Sequence, residues 1–206
     1  MTTLRIAEPP QRRDLAVFVD NALRLDPAAV VRLRVRADGL VGAWVLTGFD
    51  VLAARVVAAR LEPPDVTCAA DQLAAGLRNG PDVDPGLPMD SAWRGALPPE
   101  TGFVHVDDIP AAVLTDLARR AGDLAREHSG PQGPPPSLLD QDVLEVSGDQ
   151  HSVAVPMRCV LTLTAMGFAP PGDDEVVRVR VAPAWLRIDA RFGSVFRRRG
   201  GPALLV

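Results

Sequence analysis

Apolar and charged residues alternate with a period of two in two places along the chain. At residues 30–36 valine or leucine alternates with arginine, and nearly the same pattern returns at residues 176–181. This period is typical of a β-strand with one buried face and one face in water. Both copies follow a helical pattern and precede a turn, a tryptophan and a segment that contains phenylalanine. The repetition predicts two related helix–strand–strand–strand units, one in each half of the chain.

Other stretches predict helices, because their apolar residues recur at intervals of three and four. They are residues 12–25, residues 68–78 and a stretch that begins at Pro110. Residues 156–167 are apolar nearly all round, which is typical of a helix buried in the core. Residues 51–61 are compatible with a helix or a strand. We favour a strand because they are rich in valine and follow a hairpin.

The dipeptide Asp38-Gly39 predicts a two-residue hairpin turn after the first arginine-containing strand. This turn would pair Leu33 with Trp44 and place both on the core face. The arginines of the strand would share the opposite face; they are Arg32, Arg34 and Arg36. That face either meets water or binds an acidic partner.

Two proline-rich stretches interrupt the periodic pattern. Residues 80–100 have no period, which is typical of a functional or disordered loop, and Trp93 is the large anchor within it. Residues 131–136 predict a stiff linker. We therefore expect an α+β protein of antiparallel sheets with flanking helices, in two domains at residues 1–130 and 137–206.

The composition is that of a globular protein and does not indicate binding to a polyanion. Apolar residues make up 47% of the chain, and the formal net charge is -4. Cys68 and Cys159 lie in apolar patterns, which predicts two buried thiols in a reducing compartment. Residues 1–11 lack the apolar core of a signal peptide, and no apolar run is long enough to cross a membrane. The expected location is the cytoplasm.

Two resemblances extend this interpretation. The sequences at residues 23–34, 166–168 and 190–194 resemble those of uncharacterised actinobacterial proteins of similar length, which implies a two-part α+β protein without an assigned activity. The C-terminal half resembles a winged helix, with residues 156–167 as the recognition helix and 176–190 as the wing. That second resemblance implies a DNA-binding surface at a set of arginines: Arg158, Arg197, Arg198 and Arg199. Acids and arginines are equal in number over residues 137–206, which counts against affinity driven by phosphates.

Common catalytic and metal-binding motifs are absent from the sequence, and no cofactor is expected. His105 and Asp107 are the candidate metal ligands, since alternate residues of a strand point the same way. A histidine at a strand end followed by a helix cap explains the same two residues without a metal.

These observations leave three functions open. The first, which we favour, is a non-enzymatic module that binds a protein partner or forms a homo-oligomer. Its candidate residues are Trp93, Arg94, Arg32, Arg34 and Arg36. The second is a nucleic-acid-binding regulator, which requires the four arginines named for the winged helix to form one exposed patch. The third is an enzyme that uses His105 and the acids of the 80–100 loop.

Overall fold

A computed structural model of the 206-residue chain describes residues 2–128, 136–169 and 174–200. The chain divides into two compact units. Unit 1 contains Met1–Gly48 and Leu52–Glu100, and unit 2 contains Phe49–Val51 and Thr101–Val206. Each unit combines antiparallel sheets with flanking helices, so the predicted α+β class is confirmed.

Unit 1 is built around a four-stranded antiparallel sheet. Along the chain its elements are β1 (Thr3–Arg5), α1 (Pro9–Leu25), β2 (Val30–Val35), β3 (Val41–Leu46), β4 (Leu52–Val57), β5 (Arg60–Glu62), β6 (Asp65–Ala69), α2 (Ala70–Arg78) and β7 (Asp82–Val83). The main sheet has the order β6-β2-β3-β4, and a small sheet has the order β5-β1-β7. The two helices pack together and bury Phe18, Val19 and Leu73. The strand predicted within residues 51–61 is confirmed by β4 and β5.

Unit 2 contains a second four-stranded antiparallel sheet. Along the chain its elements are β8 (Val104–Pro110), α3 (Ala111–His128), α4 (Pro136–Leu139), β9 (Asp142–Ser147), β10 (Ser152–Pro156), α5 (Met157–Ala165), β11 (Val176–Ala182), β12 (Trp185–Ala190) and β13 (Gly193–Arg198). The main sheet has the order β13-β12-β11-β8, and β9 pairs with β10 in a hairpin. Cys159, Val160 and Leu163 of α5 are completely buried, which confirms the prediction of a core helix.

The two units repeat one topology. In unit 1 the order is α1-β2-β3-β4, and in unit 2 it is α5-β11-β12-β13. The first strand of each meander is also paired on its other side with an antiparallel strand: β6 beside β2, and β8 beside β11. The predicted pair of helix–strand–strand–strand units is therefore confirmed.

The predicted register of the first hairpin is wrong by one residue. Arg32 pairs with Trp44 and Leu33 pairs with Ala43, because the turn contains three residues rather than two. Gly39 occupies the left-handed region with φ 80°, and the amide of Arg36 donates to the carbonyl of Leu40 across the turn. Since a shift of one residue exchanges the two faces of a strand, Trp44 lies on the arginine side of the sheet. It is nevertheless buried, with its indole leaning over Gly42.

The division of the chain also differs from the predicted one. β8 and α3 belong to unit 2, because β8 pairs with β11 and α3 packs against α5. The predicted linker lies outside the described residues except for Pro136, which begins α4. Two predicted helix starts are also later in the structure. Cys68 lies in β6, and Pro110 ends β8.

Candidate interaction surfaces

Residues 84–100, which we call the strap, are the last segment of unit 1 and are hydrogen-bonded to its main sheet. The amide of Met89 donates to the carbonyl of Thr67, and the amide of Thr67 donates to the Asp90 carboxylate at 2.7 Å. Thr67 belongs to β6, the edge strand of the main sheet, so these two bonds occupy backbone groups that an edge leaves open. Farther along the strap, the Glu100 carboxylate accepts a hydrogen bond from the amide of Ala37 in the hairpin turn.

Trp93 of the strap stacks on an arginine of β2. The guanidinium carbon of Arg32 lies 5.8 Å from the centre of the indole, within the range of a cation–π contact. The same guanidinium donates two hydrogen bonds to Asp65, at 2.8 and 2.7 Å. The hydrogen bonds and charge of Asp65, with the charge of Asp90, raise the pKa of Arg32 against a smaller opposing effect of burial. Arg32 is therefore held between a carboxylate and an aromatic ring of its own chain.

The predicted partner-binding residues are thus occupied to different degrees. Trp93 is half-buried rather than a free anchor, because Arg32 lies beneath it. Arg36 binds Asp38 in the hairpin turn at 2.9 Å. Arg34 is half-exposed and lies 3.7 Å from Asp65, and Arg94 is exposed on the strap. The exposed members of this set are therefore Arg34 and Arg94.

Unit 2 carries arginines on the corresponding side of its sheet. Since directly paired residues share a face, the register places the following side chains together: Arg178 and Arg180 of β11, Trp185, Arg187 and Asp189 of β12, Ser194, Phe196 and Arg198 of β13, and His105 and Asp108 of β8. We call this surface the arginine face. It holds four arginines against two aspartates, whereas the whole chain has a net charge of -4. It is therefore a cationic area on an anionic protein.

Asp189 is the centre of the arginine face. Its carboxylate accepts hydrogen bonds from Arg180, from Arg187 at 2.7 Å and from the Ser194 hydroxyl. Two guanidiniums consequently share one carboxylate that is only 16% exposed. Arg187 is fixed further by the ring of Phe196, whose centre lies 5.3 Å from the guanidinium carbon.

The edges of the arginine face are more open. Arg178 has a side chain that is 56% exposed, and its carboxylate partner among the described residues is Asp108 at 3.8 Å. Arg198 is exposed and lies over the ring of Trp185 at 5.7 Å. Among the described residues, Arg198 has no carboxylate partner. These two guanidiniums can accept an external anion without losing a strong internal ion pair.

The C-terminal arginines do not form the single exposed patch that the nucleic-acid hypothesis requires. Arg158 is buried, and it donates to Asp140 and to the carbonyl of Phe49. Arg197 and Arg198 point to opposite sides of β13, because successive residues of a strand alternate. Arg197 accordingly approaches Asp140, at 3.4 Å, whereas Arg198 joins the arginine face. Arg199 lies 3.5 Å from the carbonyl of Ala182.

His105 and Asp107, the candidate metal ligands, do not contact each other. The register of β8 shifts near these residues, so His105 lies opposite Arg180 and Asp107 lies opposite Val179. The imidazole Nε2 of His105 is instead 2.8 Å from Asp108. Within the described ranges, no group of three or more histidine, cysteine and acidic side chains is arranged to hold a metal ion.

Burial makes both cysteines unreactive. Cys68 and Cys159 are free thiols with no exposed surface, and desolvation raises the pKa of each to about 12. Since the thiolate is the nucleophile, neither residue is suited to covalent chemistry near neutral pH. The prediction of two buried thiols is confirmed.

A groove in unit 1 exposes apolar side chains of the strap. Its volume is about 780 Å³, and its lining includes Gln72, Leu87 and Met89. Leu87 is 83% exposed, the most of any large apolar side chain among the described residues. No helix of the described residues is both long enough and apolar enough to cross a membrane.

The fold defined by these two units resembles that of bacterial DNA polymerase sliding clamps. A putative DNA polymerase III beta subunit from Eubacterium rectale matches with a TM-score of 0.59 and 12% identity, over 100% of this chain and 66% of that chain. The DNA polymerase sliding clamp of Bacillus subtilis matches with a TM-score of 0.58 and 14% identity, over 98% of this chain and 65% of that chain. The DNA polymerase III subunit beta of Pseudomonas aeruginosa matches with a TM-score of 0.56 and 16% identity, over 98% and 66%. The chain therefore spans slightly less than two thirds of the length of these three proteins.

The family assignment follows the division into units. Residues 98–202 match the family described as domain of unknown function DUF8185, and residues 1–95 match domain of unknown function DUF8010. The chain belongs to the DUF8185 family. The two matched regions meet close to the boundary between units 1 and 2. No curated protein matches this chain.

The resemblance of the C-terminal half to a winged helix is wrong. The supposed recognition helix is α5, whose side chains are mostly buried in unit 2. The supposed wing, β11 and β12, forms the middle of a four-stranded sheet and does not project as a separate hairpin. A helix must expose polar side chains to reach base edges in a groove, and α5 cannot do so.

Proposed function

We propose that this protein is a non-enzymatic interaction module with the sliding-clamp fold, and that it binds a partner protein or further copies of itself through the arginine face. The observation that carries the proposal is the cationic arginine face on a protein of net charge -4. Open sheet faces with arginine and aromatic side chains are typical of protein contacts, where these residues contribute much of the binding energy.

The similarity in fold supports an interaction function. One similar structure is described as a putative DNA polymerase III beta subunit and another as a DNA polymerase sliding clamp. A protein described as a subunit is one that contacts other chains. The chemistry of the described residues gives catalysis no comparable support. The thiols are buried, and the imidazole Nε2 of His105 lies 2.8 Å from the Asp108 carboxylate.

Self-association is tested by sedimentation equilibrium of the full chain at low and high protein concentration. We expect a rise in mean mass with concentration, and a smaller rise at high salt, because surface charges are screened. The variant Arg178→Glu should reduce the rise, and Arg60→Glu, an exposed arginine of unit 1, should not. A constant monomer mass for all three chains would remove self-assembly and leave binding to a partner protein.

A second candidate function is association with DNA, which is favoured by the likeness to proteins described as a DNA polymerase sliding clamp and as a DNA polymerase III subunit beta. The charges on the helices of unit 1 do not support strong phosphate binding. α1 carries three arginines and two aspartates, and α2 carries one of each. Fluorescence anisotropy with a labelled DNA duplex at low salt tests this candidate. Binding that weakens steeply with added salt would support it, and no binding at low salt would remove it.

A further inference from the structure

The repeated topology makes the strap of unit 1 a guide to what the arginine face of unit 2 binds. β2 and β11 are the first strands of equivalent meanders, and both alternate valine with arginine. In each unit an aspartate of the neighbouring edge strand approaches these arginines: Asp65 of β6 in unit 1, and Asp108 of β8 in unit 2. The two arginine-containing surfaces therefore share strand order and charge pattern.

The surfaces differ in what covers them. In unit 1 the strap places Trp93 over Arg32 and brings Asp90 close enough to raise the pKa of that arginine. In unit 2, none of the described residues places an aromatic ring over Arg178 or Arg180. Among the described residues of unit 2, the position that Trp93 fills over Arg32 is thus open over Arg178 and Arg180, whereas Phe103 stacks on Arg187 at 5.5 Å.

The charges of the arginine face are also incompletely balanced. Arg180 shares the Asp189 carboxylate with Arg187, and Arg178 shares Asp108 with His105. A carboxylate from outside would therefore meet guanidiniums that are only partly neutralised, with donors still free for further hydrogen bonds. An aromatic side chain beside it could stack on Arg178, which is half-exposed.

We propose that the arginine face binds an acidic peptide segment of a partner protein, in which a carboxylate and an aromatic side chain lie about one turn apart, as Asp90 and Trp93 do in the strap. This inference rests on the proposed function and names the partner chemistry of the same surface. The partner carboxylate bonds Arg178 and Arg180, and its aromatic ring covers Arg178. In unit 1 the strap supplies the aromatic contact on Arg32 and brings the charge of Asp90 near it, while Asp65 of β6 forms the hydrogen bonds to that arginine.

The probe is a fluorescein-labelled synthetic peptide of residues 84–95, and its binding to the full chain is measured by anisotropy. We expect saturable binding with a Kd on the order of 100 µM. The double variant Arg178→Gln/Arg180→Gln should weaken it by about tenfold. The matched variant Arg13→Gln/Arg60→Gln removes two exposed arginines of unit 1 and should leave the affinity unchanged. Peptides that carry Asp90→Asn or Trp93→Ala should each bind more weakly.

A second variant distinguishes loss of binding from loss of folding. Arg178→Glu changes an exposed side chain and leaves the Asp189 network intact, so it should weaken binding while circular dichroism stays unchanged. If Arg32→Gln abolishes binding and the Arg178 and Arg180 variants do not, the peptide exchanges with the strap of unit 1, and the inference is wrong. No binding by a chain that still self-associates would overturn the inference and leave the proposed function standing. If peptide binding and self-association both fail, the inference is wrong, and the proposed function is reduced to binding a partner protein of different chemistry.

Discussion

Trp93 covers the guanidinium of Arg32, 5.8 Å from ring centre to guanidinium carbon, and it does so from a segment far away in the sequence. Asp65 holds the same guanidinium from the neighbouring strand. The arginine is thereby fixed on two sides, and the strap is fixed to the sheet. This contact explains how a proline-rich segment without a hydrophobic period becomes an ordered part of unit 1.

Trp93→Ala should lower the free energy of unfolding by about 1 kcal/mol, because it removes a cation–π contact at a half-buried site. Chemical denaturation measures the change. Arg94→Ala is the matched control, since Arg94 is the exposed neighbour on the strap and should change stability by less than about 0.5 kcal/mol. Equal effects of the two substitutions would show that the stacking does not stabilise the strap.

Substitutions at Asp90 test the second contact between the strap and the sheet, which is the hydrogen bond from Thr67. The Asp90 carboxylate accepts from the amide of Thr67, a residue that is 1% exposed. Asp90→Ala leaves that amide without its partner and should cost about 1–3 kcal/mol. Asp90→Asn keeps an oxygen acceptor and loses the charge near Arg32, so its cost should be smaller. Thermal unfolding of both variants measures the difference, and an Asn variant as unstable as the Ala variant would contradict this account.

The sequence predicted the elements of the fold better than their pairing. Strands and helices follow from apolar periods, because a period of two or of three to four reports directly which side chains are buried. The register of β2 and β3 depended instead on whether Asp38-Gly39 formed a two-residue or a three-residue turn, and both are compatible with these residues. The choice of the three-residue turn moved Trp44 to the arginine side of the sheet.

The candidate surfaces were harder to predict for a different reason. The pairing of Arg32 with Asp65 and Trp93 joins residues that no local pattern connects. The arginine face combines residues of β8, β11, β12 and β13, and the sequence alone grouped β8 with the N-terminal domain. One sequence feature did indicate these surfaces. The alternation of valine and arginine in both halves predicted that each sheet has an arginine side. Strand alternation would also have separated Arg197 from Arg198, had residues 197–198 been assigned to a strand.

Gly39 tests the turn that sets the register. Its φ is 80°, and a Cβ added to it would meet nothing within 4 Å, so substitution changes only the backbone energy. Gly39→Ala should therefore cost roughly 1–2 kcal/mol. Gly48→Ala is the control, because its Cβ would also meet nothing and its φ is not in the left-handed region. Urea denaturation of both variants should separate them, and equal stabilities would argue against the three-residue turn.

Gly193 tests the packing of unit 2. A Cβ at Gly193 would lie 2.5 Å from the ring of Phe168, which is 1% exposed and cannot move aside easily. Gly193→Ala should therefore cost about 1–3 kcal/mol through overpacking. At Gly200 a Cβ would meet nothing within 4 Å, so Gly200→Ala is expected to be close to neutral. Calorimetric melting temperatures give the comparison, and an unchanged melting temperature for the Gly193 variant would contradict the close contact with Phe168.

The two buried thiols predict how stability depends on pH. Burial raises the pKa of Cys68 and of Cys159 from an ordinary 9.0 to about 12. Between these values the unfolded chain releases protons that the folded chain keeps, so the thiols stabilise the fold fully below pH 9 and progressively less above it. Within this window, each unit rise in pH should lower the free energy of unfolding by about 1.4 kcal/mol for each of the two thiols. Urea denaturation from pH 8 to pH 10.5 measures the slope, and Cys68→Ala should halve the part that the thiols contribute. A slope that is the same with and without Cys68 would show that this thiol ionises in the folded protein as readily as in the unfolded chain.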